Sequence, residues 1–353
     1  MKTTNVYICH RPYHILRSCD FVVKQKNQNR NILISFNVKT VGKGFQNHFR
    51  FPQLESFYDE VYYLNRDYEM NIGKWYSRSF YKYVRTRQKE SALLINKIGP
   101  IDNVYFFSDT EYPIEILVGA VKRKTKAAVF LVDEGLVTYE VPQSHSVLER
   151  IKTWLSNKYL RLIQSDICTS GYGKSRLYDK AFAYLPDLSV FRNPIEKMEA
   201  ISEIVLSRTP NILKDKGKIL IFASNYAQHI PILKVTDKIE MKVLQNIKLI
   251  AEDNGYHFYI KPHPQQEKEE YAIFKDSVLD AQFPIEFLFN PDAVIISMFS
   301  SALLNAKYCG VPSICITKLF GSDYFTDTMQ KLDIPVVSDF EDFERRIKVI
   351  DSK

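Results

Sequence analysis

Four short stretches of this 353-residue chain have residue types and spacing suited to chemistry. Asp133-Glu134-Gly135 places two adjacent carboxylates after an apolar run and before a glycine. Adjacent acids repel, so partial burial would raise the pKa of one of them. Such a pair suits an acid–base site, and an acidic turn would use the same residues. Lys261-Pro262-His263-Pro264 brackets a histidine with prolines, which restrict the backbone on either side and stiffen the loop. Stiffness suits a positioned catalytic group and also a structural turn. Ser300-Ser301 follows another apolar run and opens a helix. Free backbone N–H groups and the positive helix end then point at one place, which makes an anion site. Glu286 stands in an apolar run, PIEFLF, where a lone carboxylate needs a partner. A ribose diol is one candidate and a lysine ion pair the other.

The elements that must position these groups are apolar strands followed by helices. In the second half, strands at 256–260 and 293–297 end at the proline-bracketed histidine and the serine pair. A strand at 218–223 ends in Ser224-Asn225, which are candidates for phosphate or a sugar carboxylate. In the first half, a strand at 5–9 (NVYIC) breaks at His10-Arg11-Pro12-Tyr13-His14. His10, Arg11 and Tyr13 are ligand candidates there, and a loop-filling role for the histidines is the alternative. Strands at 31–36, 60–64, 103–107 and 127–132 follow. The third of these ends in Ser108-Asp109-Thr110-Glu111, with Ser108, Asp109 and Glu111 as acceptor candidates, and the last ends at the acid pair. Helices are expected from about 15, over 72–98, from 112, over 237–253 and over 340–350. A helix-like stretch follows Pro194 (IEKMEAISEIVLS) within the passage between domains at 186–210, and a short strand is expected at 335–337. Gly42 and Gly44 are too sparse for a phosphate fingerprint.

Strand–helix alternation in both halves implies two doubly wound α/β domains, which bind ligands outside the carboxyl ends of their strands. The expected bounds are 1–205 and 206–335, with a terminal helix in 336–353 packing back on the first domain.

The composition is that of a soluble globular protein: 45% hydrophobic and 25% charged. No apolar run approaches the roughly 18 residues that span a bilayer, and the N-terminus lacks a signal-peptide pattern. The expected location is the cytoplasm, with peripheral contact at the inner membrane face. Five cysteines without paired short spacings argue against a disulfide framework. No CxxC or HExxH occurs, so neither a metal nor another cofactor is expected. The net charge of +7 favours anionic partners. Basic residues interleave with aromatics at 74–89 and form an amphipathic pattern at 148–161, either as solvated helix faces or as contacts for anionic lipid or glycan. Nucleic acid is not an expected partner, because no recognisable binding motif is present. A homodimer is left open.

Asp133-Glu134-Gly135, Lys261-Pro262-His263-Pro264 and Ser300-Ser301 resemble, in order, the D/E-D/E-G, HP and SS motifs of bacterial sialyltransferases. Phe283-Pro284-Ile285-Glu286-Phe287-Leu288 is similar to the segment that supplies a ribose-binding glutamate in those enzymes. Size and the YICHRPYH start resemble the lipooligosaccharide and capsular sialyltransferases of glycosyltransferase family 52 or a neighbouring capsular family. The resemblance implies a GT-B fold, two Rossmann-like domains facing across a cleft, with the acceptor on the first and the nucleotide on the second. It implies CMP-sialic acid as donor, a galactoside-type glycan terminus as acceptor, inversion at the anomeric centre and no metal.

In this reading Asp133 is the general base, supported by Glu134 and Gly135. His263 stabilises or protonates the leaving phosphate, and Ser300 and Ser301 hold its other oxygens. Glu286 grips the ribose, while Lys261, Pro262 and Pro264 lie at the nucleotide. Two rivals stand beside it: a GT-B transferase using another donor, a neutral sugar or the CDP-glycerol type, and a non-catalytic nucleotide- or glycan-binding protein. The second would not need both Asp133 and His263.

Overall fold

The computed structural model describes residues 2–25, 29–40, 44–47, 50–65, 77–139, 147–162, 167, 172–210, 212–213, 216–225, 235–263, 266, 268–281 and 283–351. The chain divides into two compact units, Met1–Glu199 and Ala200–Lys353.

The first unit holds strands β1 (Thr4–Cys9), β2 (Arg30–Phe36), β3 (Val38–Thr40), β4 (Gly44–Asn47), β5 (Glu60–Leu64), β6 (Asn103–Phe106), β7 (Ala128–Val132), β8 (Lys180–Ala183) and β9 (Ile195–Lys197). Its helices are α1 (Pro12–Lys24), α2 (Pro52–Glu55), α3 (Arg78–Ile98), α4 (Tyr112–Lys124) and α5 (Val147–Leu162). Seven strands form one parallel sheet in the order β5-β2-β1-β6-β7-β8-β9. β3 and β4 make a separate antiparallel pair. β1 is buried at every position, as a parallel strand covered on both faces must be.

The second unit holds β10 (Ile219–Ala223), β11 (His257–Lys261), β12 (Ala293–Ser297) and β13 (Ser313–Cys315) in the parallel order β11-β10-β12-β13. Its helices are α6 (Glu203–Leu206), α7 (Asp237–Asp253), α8 (Ser301–Tyr308), α9 (Thr326–Lys331) and α10 (Phe340–Asp351). Among the described residues no helix is long and apolar enough to cross a membrane.

Both sheets reverse their strand order once, between β1 and β6 and between β10 and β12. Neighbouring connections diverge at such a switch point and leave a crevice at the carboxyl ends of the strands. Register then sets which residues share that edge. Ile8 pairs with Phe106, and Phe106 with Leu131. Two residues further along, His10, Ser108 and Asp133 therefore stand at one level.

Local expectations change at several places. The stretch after Pro194 is not one helix. Ile195–Lys197 pairs with β8 as the sheet's edge strand, and only Glu203–Leu206 is helical, so an open sheet edge outweighs helix propensity. The 335–337 strand is reduced to one bridge, Cys315 to Val336. The terminal helix packs within the second unit. Phe343 and Ile347 join its core, and the Tyr256 hydroxyl donates to the Asp351 carboxylate at 2.6 Å. The division between units falls after Glu199 rather than after residue 205.

Candidate functional site

In the first unit the polar groups gather where β1, β6 and β7 end. α1 begins immediately after β1, with Pro12 in its first turn, where a missing N–H costs nothing. This turn brings His14 back beside His10, their rings 4.4 Å apart and edge-on. His14 also stacks flat on Phe107, at 4.4 Å and 5°. The His10 backbone N–H faces His14 Nδ1 at 3.4 Å. With Nδ1 accepting, the neutral ring carries its proton on Nε2. That nitrogen lies 3.9 Å from Glu134 Oε1. His10 Nε2 is 3.4 Å and the Arg11 guanidinium 3.2 Å from the same oxygen. Glu134 and both histidines are buried, whereas the Arg11 side chain is 55% exposed. The cluster therefore has one solvent-facing side.

The two adjacent acids have opposite surroundings. Asp133 is wholly buried. Its carboxylate accepts the Gly135 N–H at 2.6 Å, the Tyr139 hydroxyl and, at 3.4 Å, the Tyr184 N–H. Burial pushes its pKa up to about 6, against the pull of these donors and of Arg17. Gly135 has φ 105° and ψ −141°, a conformation that L side chains resist, and this turn separates the two carboxylates. Asp133 is enclosed and tied to the turn, and Glu134 is the acid that meets the histidines and Arg11.

Other first-unit candidates have structural partners. Asp109 is fully buried and accepts the N–H groups of Gly173 and Ser175, both at 2.9 Å, so it anchors a loop. Burial raises its pKa to about 6, and those two donors oppose the shift. Ser108 is buried beside the Thr110 hydroxyl at 3.1 Å. Tyr13 is buried, its hydroxyl 3.3 Å from that of Tyr184. Glu111 is the residue before α4 and makes no side-chain cap.

His10, His14 and Glu134 offer three ligand atoms within 4.8 Å of one another, a spacing open to a metal ion. Arg11, on the same carboxylate oxygen, already supplies a positive charge there.

In the second unit the groups gather at the ends of β10, β11 and β12. The Ser297 hydroxyl donates to Ala223 O at 2.6 Å, and Asn225 Nδ2 to Phe299 O at 3.1 Å. These bonds tie the two strand ends across the switch point and fix the backbone that leads into Ser300. Ser300 caps α8, its hydroxyl oxygen accepting the Ala302 N–H at 3.2 Å. A capping hydroxyl still has a proton to donate. Ser300 and Ser301 are both half-buried at the start of an eight-residue helix.

His263 is half-buried, and its backbone N–H donates to Gln266 Oε1 at 3.0 Å. Gln266 is itself gripped by Ser224 and by the Tyr271 hydroxyl, which in turn donates to Glu240. Burial lifts Glu240 to about 7. Ser224 thereby supports the loop. Lys261 Nζ donates to Pro262 O at 2.8 Å and Ala281 O at 2.9 Å. Burial pushes its pKa down to about 8, with Glu286 and Asp280 opposing. Its head group thus staples the backbone beside His263. Pro262 is buried, and Pro264, Gly42 and Tyr226 lie outside the described residues.

Glu286 is buried on a short 3-10 turn, and its Oε1 accepts from Asn305 Nδ2 at 3.1 Å. Its charge also acts on Lys261, whose Nζ donates to the two carbonyls.

Both sets of strand-end residues fall within one match to a protein-family model. That model, described as alpha-2,8-polysialyltransferase, matches residues 5–317. The chain belongs to this family. Its members are sialyltransferase-like glycosyltransferases, which is the coarser part of the sequence expectation. No curated protein matches the chain.

Solved structures show the same fold at low identity. UDP-GlcNAc 2-epimerase from Neisseria meningitidis bound to UDP-GlcNAc is 14% identical, with a TM-score of 0.54, covering 99% of this chain and 90% of that one. Another UDP-N-acetylglucosamine 2-epimerase is 15% identical, with a TM-score of 0.52 and 99% and 87% coverage. The wall teichoic acid polymerase TagF is 12% identical, with a TM-score of 0.51 and 99% and 80% coverage. The two parallel α/β units are therefore of the GT-B type.

Sequence reasoning missed four positions. His14 stands four residues after His10, and that spacing across a strand-to-helix turn was the available signal. Asn305 is a lone amide in an otherwise apolar helix segment, SALLNAKY. Tyr139 and Gln266 carried no local sign, although Asp133 and His263, which they hold, stand only six and three residues away.

Proposed function

We propose that this protein transfers sialic acid from CMP-sialic acid to a sialic-acid-terminated glycan, forming α2,8 linkages with inversion and without a metal. The family match across 5–317 carries this reading. It also moves the acceptor away from the galactoside terminus expected at first.

Glu134 is the general base in this mechanism. His10, Arg11 and His14 surround one of its oxygens at 3.4, 3.2 and 3.9 Å and hold the carboxylate in place. It takes the proton of the acceptor hydroxyl as that oxygen bonds to the anomeric carbon. The bond from that carbon to the CMP phosphate oxygen breaks, and its electron pair leaves with the phosphate. His263, on a loop stapled by Gln266 and Lys261, donates a hydrogen bond or a proton to that oxygen. The Ser300 and Ser301 hydroxyls and the free N–H groups of α8 meet the remaining phosphate charge. Glu286, oriented by Asn305, takes the ribose hydroxyls.

Calorimetric titration with CMP, UMP, UDP and CDP, with and without EDTA, tests the donor. A transfer assay with CMP-sialic acid and an α2,8-linked oligosialic acceptor tests the reaction. CMP-selective binding and chain extension, both indifferent to EDTA, are expected. Preference for UDP would replace the donor, and loss of activity in EDTA would turn the His10–His14–Glu134 cluster into a metal site.

A further inference from the structure

The His263 loop hangs on a set of hydrogen bonds whose protons can be counted. Gln266 Oε1 accepts the His263 N–H at 3.0 Å and the Ser224 hydroxyl. Gln266 Nε2 donates to Glu270 Oε2 and to the Tyr271 hydroxyl oxygen, both at 3.1 Å. The Tyr271 hydroxyl lies 2.9 Å from Ser224 Oγ and 2.8 Å from Glu240 Oε1. Ser224, Glu240, Gln266 and Tyr271 are all buried, so an unmade bond among them is costly.

Three oxygen–oxygen contacts run through this set: Ser224 to Gln266, Tyr271 to Ser224 and Tyr271 to Glu240. Each needs one proton. An amide oxygen has none to give, so the Ser224 proton goes to Gln266. The contact between Tyr271 and Ser224 then takes the tyrosine proton. The third contact is left to a carboxyl proton on Glu240. With Glu240 ionised, Tyr271 turns its proton to the carboxylate, and the bond to Ser224 is lost.

We propose, on the reading of His263 as the leaving-group residue, that Glu240 is a positioning residue for the transfer step: its carboxyl proton closes a relay through Tyr271 and Ser224 that holds Gln266 against the His263 N–H. The surroundings keep that proton in place up to neutral pH. Burial raises the Glu240 pKa to about 7 against the Tyr271 hydrogen bond, and the nearby charges of Asp237 on α7 and Glu270 on the 3-10 segment Lys268–Ser277 add to the rise. The relay is therefore closed below about pH 7 and open above it. Head-to-tail hydrogen bonds strengthen one another, so opening one loosens the rest.

Glu240→Gln tests this, because its amide N–H replaces the carboxyl proton at every pH. Relative to Glu240→Gln, the parent's kcat for transfer from CMP-sialic acid falls by up to about tenfold as pH rises through about 7, while CMP affinity stays level. Titration of the His263 ring is common to both proteins and cancels in the ratio. Tyr271→Phe removes the proton on which the relay turns. Its kcat falls by a similar factor at low pH, and adding Glu240→Gln changes nothing further. Selective isotope labelling of the seven histidines gives an NMR readout that needs no donor. The His263 amide signal, assigned by its loss in His263→Gln, follows pH curves that part between the two proteins only above about pH 7. That parting in a protein that transfers nothing from CMP-sialic acid refutes the donor reading and keeps the relay. Superimposable NMR curves, a kcat ratio constant across pH, or a loss of CMP affinity equal to the loss of kcat overturns the relay.

Discussion

The two units finish their central strands with different chemistry. At the ends of β1 and β7 the first unit concentrates ionisable groups: two carboxylates, two imidazoles and a guanidinium, nearly all withdrawn from water. At the ends of β10 and β12 the second unit offers hydroxyls, a helix N-terminus and a carboxylate held by an amide. The first arrangement suits moving a proton, because low-dielectric surroundings enlarge the effect of each charge. The second suits holding an anion, which backbone N–H groups and hydroxyls do without charges of their own. Switch-point topology is common to both sheets, so the difference comes from side chains carried on one design.

The sharpest break in this comparison is between Asp133 and Glu134. Glu134→Gln lowers the transfer rate by about 10²–10⁴-fold while CMP affinity stays unchanged. Asp133→Asn keeps the rate within about tenfold, since its carboxylate serves the turn at Gly135. Steady-state kinetics beside calorimetry checks both, and a larger loss in Asp133→Asn would restore Asp133 as the base.

Asp133 has a second consequence, in stability. Its folded pKa of about 6 lies above the ordinary carboxylate value of 3.8. Between these values the folded state binds more protons than the unfolded state, so stability falls as pH rises. The contribution is full below about pH 4 and is lost through pH 6, an effect of roughly 3 kcal/mol. Thermal melts of Asp133→Asn against the parent should diverge across this window, with the parent losing more. Parallel curves would mean that its carboxylate titrates normally.

In the second unit, losses belong in binding. Glu286→Ala, or Ser300→Ala with Ser301→Ala, weakens CMP binding by roughly 10- to 100-fold, the scale of hydrogen bonds to charged groups. Equal affinity in these variants would move the nucleotide elsewhere. The smallest effect is Asn305→Ala. Freeing Glu286 costs CMP affinity up to about tenfold, and the loss shows in KM while kcat holds. A fall in kcat alone would detach Asn305 from donor binding.

Much of this was legible in the chain. Apolar runs such as NVYIC and AVFLV and the polar residues that end them located the strand ends, because a buried parallel strand must be continuously apolar and ligands gather where it stops. Ser300 read correctly as a helix opening, since capping is a local matter between a hydroxyl and an N–H two residues on. The stretch from 195 to 207 did not read correctly, because its pairing partner β8 is remote in sequence.

Sequence alone determined two doubly wound units, the strand ends that carry polar groups and the helix that Ser300 opens. Each follows from periodicity and short-range hydrogen bonding. Tertiary structure alone decided which acid of the pair is enclosed, that His14 joins His10 over Phe107, and that Gln266 and Asn305 hold His263 and Glu286. Tyr184 is fifty-one residues from Asp133, and Asn305 nineteen from Glu286. Partners so far apart along the chain meet only after the sheets have formed, so the choice between adjacent carboxylates belongs to packing.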